Sequence, residues 1–116
     1  MRPNTFLFAR PPLAVLSLLA ALSIGCGAVR NPALESARDA YQKARQDPMI
    51  VRHAAVALDR AGQSLQEADR LWTQEKDITE VEHLAYLTEK RVEIARVTAE
   101  RRVAAEEIQK VRSQRP

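Results

Sequence analysis

The chain has 116 residues, room for one small domain, with 28% of them charged and a formal net charge of +3. A single cysteine excludes an intramolecular disulfide framework, and only 4% aromatics, with no basic stripe interleaving them, excludes a nucleic-acid interface. The first 25 residues hold two of the 18 Lys and Arg and none of the 15 acids, so the remainder carries 16 − 15 = +1, close to neutral.

Those first 25 residues form a leader. Arg2 and Arg10 are the only charges before Arg30, and an apolar run of 12 residues, Leu13–Ile24, follows them. A membrane-spanning helix needs roughly 20 residues, so the run is too short to span. A positive start, a short apolar stretch and then small residues make the pattern of a secretory signal peptide, expected to be removed. Export also takes the protein away from nucleic acid.

A lone thiol in an exported chain needs a reason, and the residues around Cys26 supply one. Leu22-Ser23-Ile24-Gly25-Cys26 resembles the lipobox of bacterial lipoproteins. The resemblance implies that Leu22, Ser23, Ile24 and Gly25 are read by a signal peptidase, and that Cys26 is lipidated and becomes the first residue. Ser23 departs from the branched aliphatic residue usual three positions before the cysteine. Two other fates stay open: an uncleaved anchor running from Leu13 to Val29, or an ordinary cleavage nearby that releases a soluble periplasmic protein. Two or more acyl chains, palmitate among them, hold a protein stably on a bilayer, where one does not. Gly27 stands where an aspartate would retain an enterobacterial lipoprotein in the inner membrane, so the expected location is the outer membrane, facing the periplasm.

Residues 26–30 form a short tether that spans at most about 17 Å when fully extended. Asn31-Pro32 then reads as an N-cap followed by proline at the first helical position. Leu34, Ala37, Tyr41 and Ala44 mark one face of a first helix ending near Gln46. Asp47-Pro48 repeats the cap, and from there a second helix is expected to run unbroken past Trp72. Val51, Ala54, Leu58, Ala61, Leu65, Ala68 and Trp72 keep a strict 3-4 spacing, three heptads of a coiled-coil seam in which small residues allow close approach. Gly62 inside it costs about 1 kcal/mol relative to alanine and reads as tolerated rather than as a hinge.

Asp77-Ile-Thr-Glu80 looks like a capping box opening a long third helix that reaches about Arg112. One of its faces carries Ile78, Val81, Ala85, Thr88, Val92, Ala95, Ala99 and Val103; a looser one carries Leu87, Ile94, Val97, Ala105 and Ile108. The second helix is expected on the first face, and the short leading helix or another protein on the second. No strand alternation, repeat or low-complexity segment occurs. The fold class is therefore all-α, an antiparallel helical hairpin with a shorter leading helix. Its domain covers residues 31–112, with a frayed tail at 113–116.

With this layout in view, Asp47-Pro48, Ala57-Leu58, Ala61-x-x-x-Leu65-x-x-Ala68, Val81-Glu-His-Leu-Ala-Tyr-Leu87 and Ile94-Ala-Arg96 resemble the DUF4398 domain family over roughly residues 31–105. The resemblance implies a helical hairpin module of proteobacterial envelope lipoproteins, often set before an OmpA-like domain that binds peptidoglycan. The sequence ends at Pro116, so that wall-binding domain is expected to be absent here. The family brings no catalytic residues to carry over.

Little else suggests chemistry. His53 and His83 lie on different predicted helices, and neither stands in a metal-binding spacing such as H-E-x-x-H. No phosphate loop, paired buried carboxylates or Ser-His-Asp set can be assembled, so no enzyme, metal or cofactor is expected. Asp39 with Lys43 and Glu106 with Lys110 are spaced for helical ion pairs. Trp72 is expected to close the seam. Tyr86, off the seam, heads an interface set with Leu87, Ile94, Val97 and Ile108. The function expected is a non-catalytic envelope lipoprotein offering a helical surface to an envelope protein, such as an OmpA-like wall-binding protein, or to itself. The alternative is direct peptidoglycan or lipopolysaccharide binding through the basic tail of Arg101, Arg102, Arg112 and Arg115.

Overall fold

The computed structural model describes residues 29–74 and 77–116, and these form helices with no strand among them. The helices are α1 (Pro32–Arg45), α2 (Pro48–His53), α3 (Ala55–Gln74) and α4 (Ile78–Ser113). Each start where a cap was expected has one. The Asn31 side chain accepts from the amide of Leu34 at 3.1 Å, Asp47 from Met49 at 2.9 Å and Asp77 from Glu80 at 3.2 Å. Those bonds satisfy amides that have no partner within the helix.

The fold is the expected all-α hairpin: α3 and α4 pack antiparallel along an alanine-rich seam. Near the α3–α4 connection, Leu65, Ala68 and Leu71 meet Val81 and Ala85. At the other end Ala54, Leu58 and Ala61 meet Val92, Ala95 and Ala99. Between the two apolar clusters lies a polar layer, where buried Thr88 donates to the hydroxyl of buried Ser64 at 3.0 Å. Ser64 in turn donates to the carbonyl of Ala61 at 2.9 Å, and Thr88 Oγ1 also lies 2.8 Å from the carbonyl of Leu84. Both hydroxyls thus have a backbone acceptor within reach, which makes this layer inexpensive to bury.

Two expectations are corrected. The second helix is not continuous: Ala54, with φ −139 and ψ 36, ends α2 and separates it from α3. No glycine or proline marks the place. The cause is tertiary, because both Ile50 and Ala54 are buried against Ala44 at the end of α1 and Ala95 and Ala99 of α4. A straight helix in the expected register would have pointed Val51 inward; instead Ile50 is buried and Val51 is exposed. The break frees the carbonyl of His53, and the guanidinium of Arg102 on α4 donates to it. At the far end Leu71 takes the buried seam position expected of Trp72, which packs half-buried beside the cluster.

The second correction concerns α1. It does not cover the looser face of α4 but lies along the groove between α3 and α4, on the face already used by α3. Leu34 and Ala37 enter the cluster around Leu65 and Val81, while Ala44 enters the one around Leu58 and Val92. It therefore runs parallel to α4, starting at the end where α3 connects to α4. Polar contacts hold its flanks: Ser36 donates to Glu89 of α4, and Arg38 Nε donates to Asp69 of α3 at 2.9 Å.

Gly62 proves to be more than tolerated. A Cβ built there would stand 2.5 Å from the Tyr41 hydroxyl oxygen and 3.0 Å from its ring carbon Cζ, so the missing side chain is what seats the α1 tyrosine against α3. Alanine at this position gains about 1 kcal/mol of helix propensity yet must push the ring aside. Gly62→Ala is accordingly expected to be more favourable by about 1 kcal/mol in a Tyr41→Ala background than in the parent. Urea unfolding of the four chains measures this, and additive effects within about 0.5 kcal/mol would remove the argument.

Candidate interaction surface

α4 is the only helix among the described residues that shows two apolar faces, and the bundle uses one of them. Val81, Ala85, Thr88, Val92, Ala95 and Ala99 are buried, as their spacing predicted, while Ile78 is exposed and Val103 half-buried at the two ends. The remaining apolar residues stay in solvent. Tyr86 is 56% exposed, Ile94 59%, Val97 43% and Ile108 53%, whereas Leu87 is half-buried and Ala105 exposed. Single exposed apolar residues are ordinary, but an ordered file of them along one helix is an open surface. Val111, 56% exposed on the same side, belongs to it although the sequence pattern places it on neither apolar face.

Helix α4 also outruns its neighbours. The last contact with α2 is made near Arg102 and Glu106, where Glu106 Oε1 lies 3.4 Å from the Nδ1 of half-buried His53. From residue 104 to residue 116 every residue is exposed. Glu106 thus faces His53 across the helices, while Asp39 and Lys43 pair at 2.8 Å along α1 as expected. His83 is exposed. Among the described residues no group of three or more His, Cys, Asp or Glu is placed to hold a metal ion, and no helix is long and apolar enough to cross a membrane.

Charges border the open file. Lys90 Nζ lies 5.6 Å from the Tyr86 ring centroid and 3.1 Å from a Glu93 oxygen, and the hydrogen bond it donates to Glu93 raises the lysine pKa above its ordinary value. Arg91 donates to the carbonyl of Arg60 on α3 at 3.2 Å, which fixes that edge of the surface against the hairpin. Of the basic tail, Arg101, Arg112 and Arg115 are exposed, but Arg102 is engaged at the His53 carbonyl. Cys26, together with Leu22, Ser23, Ile24 and Gly25, lies outside the described residues.

Fold and surface together define a small all-helical module: an alanine-seamed hairpin with a leading helix in one groove and an apolar file open on the other side. A family model described as a domain of unknown function (DUF4398) matches residues 32–111, and the chain belongs to that family. The match begins at the first residue of α1 and ends inside the last turn of α4. No curated protein and no solved structure matches the chain.

Proposed function

We propose that this protein is a non-catalytic cell-envelope lipoprotein, anchored through Cys26 on the periplasmic face of the outer membrane, whose module offers the open face of α4 to a protein partner. The observation that carries the reading is that file of exposed apolar residues, Tyr86 to Val111, on a helix whose other face is buried in the bundle from Val81 to Ala99. Support for the anchor comes from the sequence: a short apolar leader ahead of Gly25-Cys26, with five residues of tether before α1.

The tether also orients the module. Asn31 lies at the end of the bundle where α3 connects to α4, so that end would sit within about 17 Å of the bilayer. Helix α4, with 36 residues, would then carry its C-terminus about 50 Å further away. Arg112 and Arg115 are thereby distant from the headgroups of the anchoring bilayer, which weighs against lipid contact and leaves wall polymer as the second reading for the tail. Photocrosslinking in intact cells from position 86 or 94 is expected to trap a defined product, and intact mass is expected to show acylated Cys26 at the N-terminus. Crosslinking that returns only monomer from both positions would remove the contact surface; an unmodified thiol would remove the anchor.

A further inference from the structure

We infer that the open face of α4 is a coiled-coil seam for a second copy of this chain, paired parallel and in register. This names the partner for the surface described above, and it does not rest on acylation of Cys26. The residues along this face follow a heptad more strictly than its apolar members alone suggest. Leu87, Ile94, Arg101 and Ile108 repeat every seven residues, and Lys90, Val97, Ala104 and Val111 repeat every seven between them. Their alternating 3-4 steps make the two core positions of a coiled coil. This seam lies roughly opposite the buried one of Val92, Ala95 and Ala99, and α3 borders it along one edge, where Arg91 donates to the carbonyl of Arg60.

The flanking charges choose the partner and its direction. One edge of the seam is acidic, with Glu93, Glu100 and Glu107; the other carries Arg91, Thr98, Ala105 and Arg112 and no acid. In a parallel pair each edge faces the opposite edge of the other helix, so Glu107 meets Arg112 of the second copy, twice by symmetry, while Glu93 faces Thr98 and Glu100 faces Ala105. An antiparallel pair would set the acidic edges against each other, Glu on Glu. A helix that is acidic on one flank and free of acids on the other avoids acid-against-acid contact only in the parallel sense.

The same seam limits its own strength. Arg101 and Lys90 occupy core positions, where in a parallel pair each faces its own counterpart. Each Arg101 gains Glu100 of both helices alongside, and Lys90 keeps its pair with Glu93, so the layers are screened rather than empty. Polar core residues of this kind set register at a cost in affinity. A reversible dimer follows, not an obligate one.

Sedimentation equilibrium of the full chain in density-matched detergent micelles, over a series of protein-to-detergent ratios, tests the inference. The parent is expected to interconvert between monomer and dimer. Val97→Glu, at an exposed position that leaves the fold intact, is expected to stay monomeric where the parent associates. Arg101→Leu is expected to tighten the dimer by about tenfold or more by removing a like-charge layer. Glu107→Lys is expected to loosen it by setting lysine against Arg112. A parent and an Arg101→Leu chain that both remain monomeric would overturn the proposal, and so would a dimer indifferent to Val97→Glu. Tightening by Glu107→Lys would overturn the parallel arrangement, since only an antiparallel pair relieves acid-against-acid contact that way. Loss of the anchor reading would show separately, in the mass of the N-terminal residue.

Discussion

Leu34→Ala is expected to release α1 from the hairpin and to remove a large part of the protein's stability. Alanine makes up eight of the fifteen buried apolar residues among those described, so the few large side chains supply most of the buried area. Leu34, 1% exposed, is the side chain through which the start of α1 enters the cluster of Leu65, Leu71 and Val81. Truncating a buried leucine to alanine costs about 2–5 kcal/mol. A domain of this size holds in total about 4–13 kcal/mol, at roughly 0.05–0.15 kcal/mol per residue. Urea unfolding followed by circular dichroism measures the loss, with Ile94→Ala as the control. Ile94 is exposed, so its truncation is expected to stay within about 0.5 kcal/mol of the parent in monomeric samples. A loss below about 1 kcal/mol at Leu34 would mean that α1 is held chiefly by its polar flank contacts instead.

The second large effect runs in the opposite steric direction. Ala95→Leu is expected to lower the melting temperature by about 5–20 °C. Ala95 is fully buried in the cluster that includes Ala61, Leu58 and Ala54, and the close approach of α3 to α4 depends on the small residues there. Added methylenes in a packed core cost typically about 1–3 kcal/mol, and 1 kcal/mol shifts the melting point of a domain this small by about 4–8 °C. The matching substitution at exposed Ala55, at the start of α3, is expected to move the melting point by no more than a few degrees. Equal effects at the two positions would show that the seam is loose enough to repack.

The polar layer bears on why the hairpin has one register. Apolar alanine and leucine seams can slide by a heptad at modest loss, because each step presents much the same surface. Ser64 and Thr88 differ: a slide would leave their mutual bond unmade, although each hydroxyl keeps the carbonyl of its own helix, Ala61 for Ser64 and Leu84 for Thr88. The pair therefore favours the observed register by one hydrogen bond, about 0.5–1.5 kcal/mol.

Caps and the buried face of α4 were legible in the sequence with little error. Asn31, Asp47 and Asp77 each bond an amide two or three residues away, so the signal and its satisfaction lie within one turn. Six consecutive seam positions, from Val81 to Ala99, were legible because a long straight helix carries its 3-4 pattern unbroken. Local physics and periodicity determined these features, together with the all-helical class. Only the tertiary structure decided the rest. The break at Ala54 carries no glycine or proline; it exists because α2, tied to α1 by two residues, must turn Ile50 into a pocket made by residues up to 49 positions away. The same long-range packing placed α1 in the shared groove rather than on the open face, seated Tyr41 against Gly62 and drew Arg102 to the carbonyl of His53. None of these has a local signal, since each is a contact between helices whose relative placement the chain acquires only on folding.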